Sequence, residues 1–238
     1  MKTDASTGLS NSAIEMPAVK LQQTAAAVFL DRDGVLIEDR GYVSRVEDVV
    51  IFPWTARSLR MLCDSGYKLF VVTNQSGIGR GYYTIEDMER VNRHIEEVLG
   101  RDGVRFDRIY FAPEAPGQPS RWRKPSPQFL FDARDEFGID LKSSYMIGDK
   151  LTDIECGWNA GVARSILVRT GYGAEVERAC RDQLRDALVV DDLYAAAVWI
   201  LGQGGYRRAD GRRSAPYAKE VCRGVPTDFH GEKVEPGK

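Results

Sequence analysis

The sequence predicts an α/β fold, in which one parallel sheet lies between two layers of helices in a three-layer Rossmann-like arrangement. Six short apolar runs recur along the chain, and each has the β-branched or aromatic residues typical of a buried strand. The segments between them carry apolar residues at helical spacing. Strand and helix alternation of this kind makes the strands parallel and covers both faces of the sheet.

The strands and the first helix follow from this pattern. The predicted strands are Ala27–Leu30, Leu69–Val72, Ile109–Phe111, Tyr145–Ile147, Ile166–Val168 and Leu188–Val190. Between the first two strands, Ala56, Leu59, Leu62 and Cys63 form the apolar face of a helix that ends at Gly66.

Two further helices have clear start and end signals. Thr84 and Asp87 have the spacing of a capping box, and Gly100 is expected to end that helix. Ser126-Pro127 begins the other helix, and Gly138 ends it. The apolar faces consist of Met88, Val91, Ile95, Val98 and Leu99 in the first helix, and of Phe129, Leu130, Ala133 and Phe137 in the second.

The composition is that of an ordinary soluble protein. The 238 residues include 33 Lys and Arg against 35 Asp and Glu, a formal net charge of −2, and 43% are hydrophobic. No run approaches the roughly 20 apolar residues of a membrane helix, and no secretory signal is visible, so a cytoplasmic protein is expected. The four cysteines lie far apart, without a CxxC pair, which argues against disulfides and a zinc knuckle.

Both ends of the chain lack an apolar pattern. We expect a flexible leader over residues 1–24, a folded α/β domain over 25–202 and a disordered basic tail over 203–238. The tail carries eight basic and five acidic residues, a net +3 against −2 for the whole chain, so the remainder carries −5. An acidic body disfavours nucleic acid as a partner. The oligomeric state stays open, with a monomer favoured.

Polar residues follow four of the predicted strands at their carboxyl ends, the edge where open α/β sheets bind ligands. In chain order these words are Asp31-Arg32-Asp33-Gly34, Thr73-Asn74-Gln75-Ser76-Gly77, Arg123-Lys124-Pro125 and Gly148-Asp149-Lys150, with Asp153 beyond the last. A lone DxD after a strand is as easily a turn. Four such sites in order argue against that interpretation, and we expect them to converge on one crevice.

The chemistry of these residues indicates a metal-assisted phosphate site. Asp31, Asp33 and Asp149 would repel one another without a cation, and oxygen ligands favour Mg²⁺. Ionised Asp31 and Asp149 with a phosphate dianion carry about −4, which Mg²⁺ and Lys124 bring to about −1. Asp31 and Asp33 point to the same side of an extended chain, so one can attack phosphorus while the other transfers a proton.

Four ordered motifs resemble those of the haloacid dehalogenase (HAD) superfamily of phosphotransferases. They are FLDRDGV at 29–35, VVTNQSG at 71–77, RKP at 123–125 and IGDKLTD at 147–153. Flanking words resemble, within it, the family of D-glycero-D-manno-heptose 1,7-bisphosphate phosphatases and histidinol-phosphate phosphatases. These words are DRGYV at 39–43, SGIGRG at 76–81, SYMIGDKLTDI at 144–154 and VRTGYG at 168–173.

The resemblance implies a Mg²⁺-dependent phosphatase with Asp31 as the nucleophile and Asp33 as the general acid and base. The metal ion would be held by Asp31, Asp149 and the backbone carbonyl of Asp33, while Asp153 would orient its neighbours. Thr73 and Lys124 would bind the phosphoryl oxygens. The residues implied in contacts with the sugar or its phosphates are Asp39, Arg40, Gly41, Tyr42, Asn74, Gln75, Ser76, Arg123 and Lys150.

The favoured substrate on this resemblance is the heptose bisphosphate, which would lose its 7-phosphate on the way to an activated heptose for lipopolysaccharide or another glycan. Histidinol phosphate is the second candidate. A non-catalytic scaffold is a third interpretation, disfavoured because every catalytic position is filled. The spacing of the motifs leaves no room for a cap domain, so selectivity would come from the loops at 39–45 and 112–123.

The chain departs from the family pattern in two places. Many relatives bind zinc through Cys and His in the loop after the third strand, where this chain has Ala112, Glu114, Ser120 and Trp122. No zinc is therefore expected, and prolines and apolar contacts should hold the loop. Trp122 either fills the space of the metal or lines the substrate mouth. The second departure is Val35, where the family pattern DGT has a hydroxyl.

Overall fold

Six parallel strands form the central sheet of the computed structural model, which describes residues 24–203. The strands are β1 (Ala27–Leu30), β2 (Lys68–Asn74), β3 (Arg108–Ala112), β4 (Tyr145–Gly148), β5 (Arg164–Val168) and β6 (Leu188–Val190). Their order is β3-β2-β1-β4-β5-β6, and every pairing is parallel. Apart from Thr24 and Gln203, the predicted leader and tail lie outside the described residues.

Helices cover both faces of this sheet. They are α1 (Thr55–Asp64), α2 (Ser76–Gly79), α3 (Ile85–Gly100), α4 (Gln128–Phe137), α5 (Leu151–Ala160), α6 (Gly173–Ala179) and α7 (Leu193–Gln203). Leu59 of α1, Ile95 of α3 and Ala197 of α7 pack in one core cluster, while α4 and α5 pack on the opposite face around Leu130 and Cys156. The predicted three-layer α/β fold is confirmed.

The order of the strands determines where the site lies. The chain runs outwards from β1 through β2 to β3 and then returns to β4, on the other side of β1. Ligands bind at such a switch point, beyond the carboxyl ends of the two strands that flank it. Residues 31–33 follow β1 and residues 149–153 follow β4, so the two acidic segments start side by side. Asp31 N donates to Ile147 O at 2.9 Å, which joins them.

The predicted end signals of the helices differ in accuracy. The capping box of α3 is present, since Thr84 accepts from Asp87 N and the Asp87 carboxylate accepts from Thr84 N. Gly138 ends α4 in the left-handed conformation, as expected. Gly100 is the last residue of α3, as predicted, but without a left-handed cap, because the chain continues right-handed through Arg101 and turns at Gly103, where φ is +75°.

Strand β2 is longer than its apolar run. Thr73 and Asn74, predicted to follow the strand, are its last two residues and lie opposite Phe111 and Ala112 of β3. Backbone pairing with β3 therefore outweighs the polarity of these two side chains. Residues 24–203 form a single sheet with its helices, without a second domain over the crevice. None of the helices in that range is long and apolar enough to cross a bilayer.

Candidate active site

A cleft of about 810 Å³ opens at the carboxyl ends of the central strands. The predicted site residues that line it are Asp31, Asp33, Asp39, Gly41, Tyr42, Thr73, Asn74, Gln75, Ser76, Arg123, Lys124, Lys150 and Asp153. Asp149 lies buried beside the cleft, and its carboxylate, with those of Asp31 and Asp153, offers oxygen atoms within 4.8 Å of one another. The structure thus brings the strand-end residues together.

Asp31 is held as a carboxylate by two nitrogen donors. It accepts from Arg32 N at 2.8 Å and pairs with Lys124 Nζ at 2.9 Å. Burial raises the pKa of Asp31, but the positive charges of Lys124 and Lys150 outweigh that effect, so the pKa lies below its usual value. An ionised carboxylate is the form that a nucleophile needs.

Lys124 joins two of the acidic residues and is itself almost wholly buried. Its Nζ lies 2.9 Å from Asp31 and 2.7 Å from Asp153, and donates to Val72 O at 2.7 Å. Burial lowers the pKa of Lys124, but the two carboxylates raise it more, and the net shift is upwards. The ammonium therefore stays charged beside Asp31.

Asn74 anchors the main chain of Lys124. The Asn74 amide accepts from Lys124 N at 3.0 Å and donates to Lys124 O at 3.1 Å. Although Asn74 lines the cleft, both of its amide atoms already have partners, so its part is to position Lys124.

The acidic cluster fits a divalent cation. Asp149 Oδ2 accepts from Tyr172 N at 2.9 Å, yet burial and the charge of Asp31 raise the pKa of Asp149 to about 8. When all are ionised, the carboxylates of Asp31, Asp39, Asp149 and Asp153 with the ammonium groups of Lys124 and Lys150 leave two negative charges. One divalent ion would neutralise them, and an oxygen-only donor set is the one that Mg²⁺ prefers.

The Asp33 carboxylate is held from its buried side. Arg32 Nε donates to Oδ2 at 3.0 Å, Arg32 Nη2 donates to Oδ1 at 3.1 Å, and Gln75 Nε2 donates to Oδ2 at 3.0 Å. Gln75 also donates to Thr73 Oγ1 at 2.8 Å and accepts from Tyr83. The Gln75 amide is thus committed to protein partners, although the family resemblance implied a contact with the substrate.

One wall of the cleft is built around Lys150. Its Nζ bonds Asp39 Oδ2 at 2.9 Å and lies 4.9 Å from the centre of the Tyr172 ring. The predicted contact residue Arg40 does not reach the cleft, because it is exposed and pairs with Glu38. In the DRGYV word, Asp39 therefore faces the cleft and Arg40 faces away from it. The family resemblance alone does not predict this difference.

Hydrogen bonds hold the loop at 112–123 in addition to apolar contacts, such as the stacking of Trp122 on Phe129. Ser120 donates to Glu114 Oε2 at 2.9 Å, so two of the positions that bind zinc in relatives contact each other here. Ser120 Oγ also accepts from Arg123 N at 3.0 Å, and Arg123 Nη1 donates to Glu114 O at 2.9 Å. These contacts orient Arg123 at the edge of the cleft.

Trp122 packs against helix α4. Its ring stacks on Phe129 at 6.4 Å between centres, and its Nε1 donates to Asp132 Oδ2 at 3.2 Å. Trp122 is not among the residues that line the cleft. The structure therefore favours the packing role over a place at the substrate mouth. Val35, the other departure, lies in the hydrophobic core.

Sequence reasoning missed the residues that hold the carboxylates in place. The segment Thr170–Tyr172 closes over Asp149, since Thr170 Oγ1 donates to Gly34 O at 2.5 Å and Tyr172 N donates to Asp149. A Cβ atom at Gly171 would lie 2.2 Å from Asp149 Oδ2. The signal was the VRTGYG word, for which no role was predicted. Arg32, the middle residue of DRD, was likewise given none.

Comparison with known proteins decides the family. The family model described as "HAD-hyrolase-like" matches residues 121–196. The curated D-glycero-D-manno-heptose-1,7-bisphosphate 7-phosphatase of Chlorobaculum tepidum is 40% identical over 196 residues, which cover 76% of this chain and 97% of that protein. The chain belongs to the heptose bisphosphate phosphatase family of HAD-like hydrolases.

Two further members of the heptose bisphosphate phosphatase family show the same relationship. The D-glycero-beta-D-manno-heptose-1,7-bisphosphate 7-phosphatase of Helicobacter pylori (strain ATCC 700392 / 26695) is 42% identical over 146 residues, 61% of this chain and 84% of that protein. The crystal structure of D,D-heptose 1.7-bisphosphate phosphatase from B. bronchiseptica, complexed with magnesium and phosphate, matches with a TM-score of 0.67 and 26% identity. That match covers 75% of this chain and 99% of the other.

Proposed function

We propose that this protein is a Mg²⁺-dependent phosphoric monoester hydrolase that removes the 7-phosphate of D-glycero-D-manno-heptose 1,7-bisphosphate. The observation that carries the proposal is the buried contact of Asp31 with Lys124 beside Asp149 and Asp153, a cluster of carboxylates that fits a divalent cation. The activity that gives the C. tepidum and H. pylori relatives their names supports the choice of substrate.

Asp31 and Asp33 divide the chemistry between them. A carboxylate oxygen of Asp31 bonds to phosphorus as the bond to the sugar oxygen breaks, and Asp33 gives its proton to that oxygen. Water then attacks the phosphorus of the aspartyl phosphate while Asp33 takes a proton from it. This second displacement breaks the bond to Asp31, releases inorganic phosphate and restores both carboxyl groups.

Neighbouring groups bind the phosphoryl oxygens. The Lys124 ammonium neutralises their charge, and Thr73, whose Oγ1 accepts from Gln75 at 2.8 Å, has its hydroxyl hydrogen to donate. Asp31, Asp149 and the backbone carbonyl of Asp33 would hold Mg²⁺, which when bound supplies positive charge to the transferring phosphoryl group. Asp153 orients Lys124 at 2.7 Å.

The rim of the cleft binds the sugar and its second phosphate. Lys150 and Arg123 both line the cleft and supply positive charge, and the cleft is open and large enough for a small bisphosphate. The other contact residues are Asp39, Gly41, Tyr42 and Ser76. Arg40, Asn74 and Gln75 are not assigned to the substrate, because Arg40 pairs outside the cleft and both amides have protein partners.

Phosphate release by the purified full-length protein with Mg²⁺ tests this function. The panel contains the α and β anomers of the heptose bisphosphate, and histidinol phosphate. We expect kcat/KM for one heptose anomer to exceed that for histidinol phosphate by about tenfold or more, since the rim contacts discriminate between them. Equal or better turnover of histidinol phosphate would overturn the proposed substrate.

A trapping experiment tests the covalent step separately. Rapid acid quenching during turnover of substrate labelled in the 7-phosphate should leave label on the wild-type protein and none on Asp31→Asn. Circular dichroism of the variant provides the control for folding. Wild-type levels of phosphate release by Asp31→Asn would exclude Asp31 as the nucleophile.

A further inference from the structure

Arg32 is a buried cation that contacts one partner of opposite charge. Its side chain is 2% exposed, and its guanidinium reaches both oxygens of the Asp33 carboxylate, at 3.0 Å for Nε to Oδ2 and 3.1 Å for Nη2 to Oδ1. A planar guanidinium that binds a carboxylate through two nitrogens fixes the direction of the carboxylate as well as its charge. Arg32 is not among the residues that line the cleft.

The Arg32 guanidinium is itself held by other parts of the fold. Nη1 donates to Asn92 Oδ1 of α3 at 3.0 Å, and Nη2 donates to Gln75 Oε1 at 3.1 Å. Nη2 also lies 3.5 Å from Val43 O, in the loop after β1. Three separate segments therefore prevent the guanidinium from following a movement of Asp33.

Gln75, the residue after β2, completes the same arrangement. It donates to Asp33 Oδ2 at 3.0 Å, and its own oxygen accepts from Tyr83 Oη at 2.7 Å, which fixes the orientation of the amide. Oδ2 of Asp33 thus receives N–H groups from both Arg32 and Gln75, whereas Oδ1 receives one from Arg32 alone. Oδ1 is the oxygen with more capacity left for a transferred proton.

We propose that Arg32 is a positioning residue, which Asn92 and Gln75 hold in place so that the Asp33 carboxyl presents Oδ1 to the leaving sugar oxygen. The inference rests on the proposed function, since it requires Asp33 to be the general acid. It adds that the proton is delivered from one particular oxygen, and that residues remote from the substrate determine which.

The dependence of kcat/KM on the leaving group separates positioning from a purely structural role. A sugar alkoxide must receive a proton as it leaves, whereas 2,4-dinitrophenolate leaves as an anion. The ratio kcat/KM reports the steps up to phosphoryl transfer to Asp31, before Asp33 acts as a base. In Arg32→Gln, kcat/KM should fall about 100-fold for the heptose bisphosphate and no more than about threefold for 2,4-dinitrophenyl phosphate.

Two other variants test whether the two-nitrogen contact of Arg32 is responsible for the selective loss. Arg32→Lys keeps the charge but not the two-nitrogen contact, so its selective loss should be intermediate. Arg134→Gln is the matched control, because Arg134 binds both oxygens of the adjacent Asp135, at 2.7 and 3.1 Å, on the surface outside the cleft. It should leave kcat/KM for both substrates unchanged.

Asp33→Asn, measured in parallel, separates failure of this inference from failure of the proposed function. The positioning role is overturned if Asp33→Asn shows the selective loss but Arg32→Gln does not. In that case kcat/KM of Arg32→Gln is either unchanged for both substrates or lowered equally for both. If Asp33→Asn shows no selective loss, the general-acid assignment itself is at fault. If circular dichroism shows that Arg32→Gln does not fold, Asn92→Ala replaces it, because this variant leaves Arg32 and Asp33 in place. Its kcat/KM for the heptose bisphosphate should fall about fivefold more than its kcat/KM for 2,4-dinitrophenyl phosphate.

Discussion

Replacing Lys124 by an apolar side chain would destabilise the folded protein. It lies between Asp31 and Asp153, both buried, and no other ammonium or guanidinium of residues 24–203 is within 4.0 Å of either. Removing one partner from a buried ion pair leaves the other desolvated and uncompensated, which costs more than the pair contributes. Lys124 therefore supports the fold as well as the chemistry.

We expect Lys124→Met to lower the free energy of unfolding in chelator by about 3 kcal/mol, because two buried carboxylates lose their counter-charge. Added Mg²⁺ should restore part of this loss, whereas phosphate release should stay abolished. Urea denaturation with and without Mg²⁺ measures the change. Lys142→Met, at an exposed lysine, is the control, and a loss below about 1 kcal/mol in Lys124→Met would contradict the argument.

Gly171 permits the close approach of its loop to Asp149. Its φ is +56°, and an added Cβ would lie 2.2 Å from Asp149 Oδ2 and 2.8 Å from the Cα of Gly34. Because the carboxylate would have to move, we expect Gly171→Ala to weaken divalent-cation binding about tenfold or more. Titration calorimetry with Mn²⁺ measures this without reference to turnover.

Gly81→Ala is the matched control for this substitution. Gly81 also has a positive φ, +73°, but no atom lies within 4 Å of an added Cβ. It bears the same kind of backbone strain, about 1 kcal/mol, with no contact to the acidic cluster. Equal Mn²⁺ affinity in the two variants would show that the approach to Asp149 is not what matters.

The N-terminal cap of helix α3 supports the position of a residue near the site. Its capping box begins at Thr84, and the helix carries Val91 into the core and Asn92 to Arg32. The beginning of this helix therefore supports the position of a side chain that contacts the Arg32 guanidinium.

Thr84→Ala should lower the free energy of unfolding by about 1 kcal/mol, because Asp87 N loses its acceptor at the first turn. Thr84→Ser keeps a hydroxyl and should lose much less. Chemical denaturation of both variants measures the difference. Equal losses would mean that the hydroxyl does not stabilise α3.

Side-chain hydrogen bonds hold the loop at 112–123. Ser120 Oγ donates to Glu114 Oε2 at 2.9 Å. Ser120 also accepts from the main chain of Arg123. A small polar network thus closes the loop and orients a cationic side chain at the cleft.

The stability of the folded molecule depends on an excess of negative charge at the carboxyl ends of its central strands. Two strands of the sheet, β1 and β4, bring their acidic segments to the same point, where three carboxylates lie beside the ammonium groups of Lys124 and Lys150. A ligand that binds only the folded state stabilises it in proportion to the logarithm of its concentration. Folding and metal binding should therefore be linked.

We expect Mg²⁺ to raise the melting temperature of the wild-type protein, with a stabilisation of about 2.7 kcal/mol when its concentration is 100 times the dissociation constant. Asp149→Asn should show little of this increase, because it removes one charge from the cluster. Thermal unfolding across a Mg²⁺ series measures both. An equal increase in Asp149→Asn would place the bound cation elsewhere.

Local patterns were sufficient to predict most of the architecture. Apolar runs of strand length, the Thr84 and Asp87 spacing and the glycine at 138 each depend on neighbours along the chain, so the structure agrees with them. The carboxyl-edge rule then correctly brought the strand-end residues into one cleft. Where strand pairing intervened, as at Asn74, the local prediction was wrong about the end of the strand.

The order of residues alone therefore established the parallel sheet, its two helical layers and the group of acidic residues at one edge. Only the folded molecule decided which polar atoms remain for a ligand. The amides of Asn74 and Gln75 turn to Lys124 and Asp33, Arg40 turns away from the cleft, and Arg32 turns inward. Except for Arg40, which pairs with the nearby Glu38, these orientations depend on partners tens of residues away, because a buried polar atom is stable only where another segment supplies its hydrogen bond.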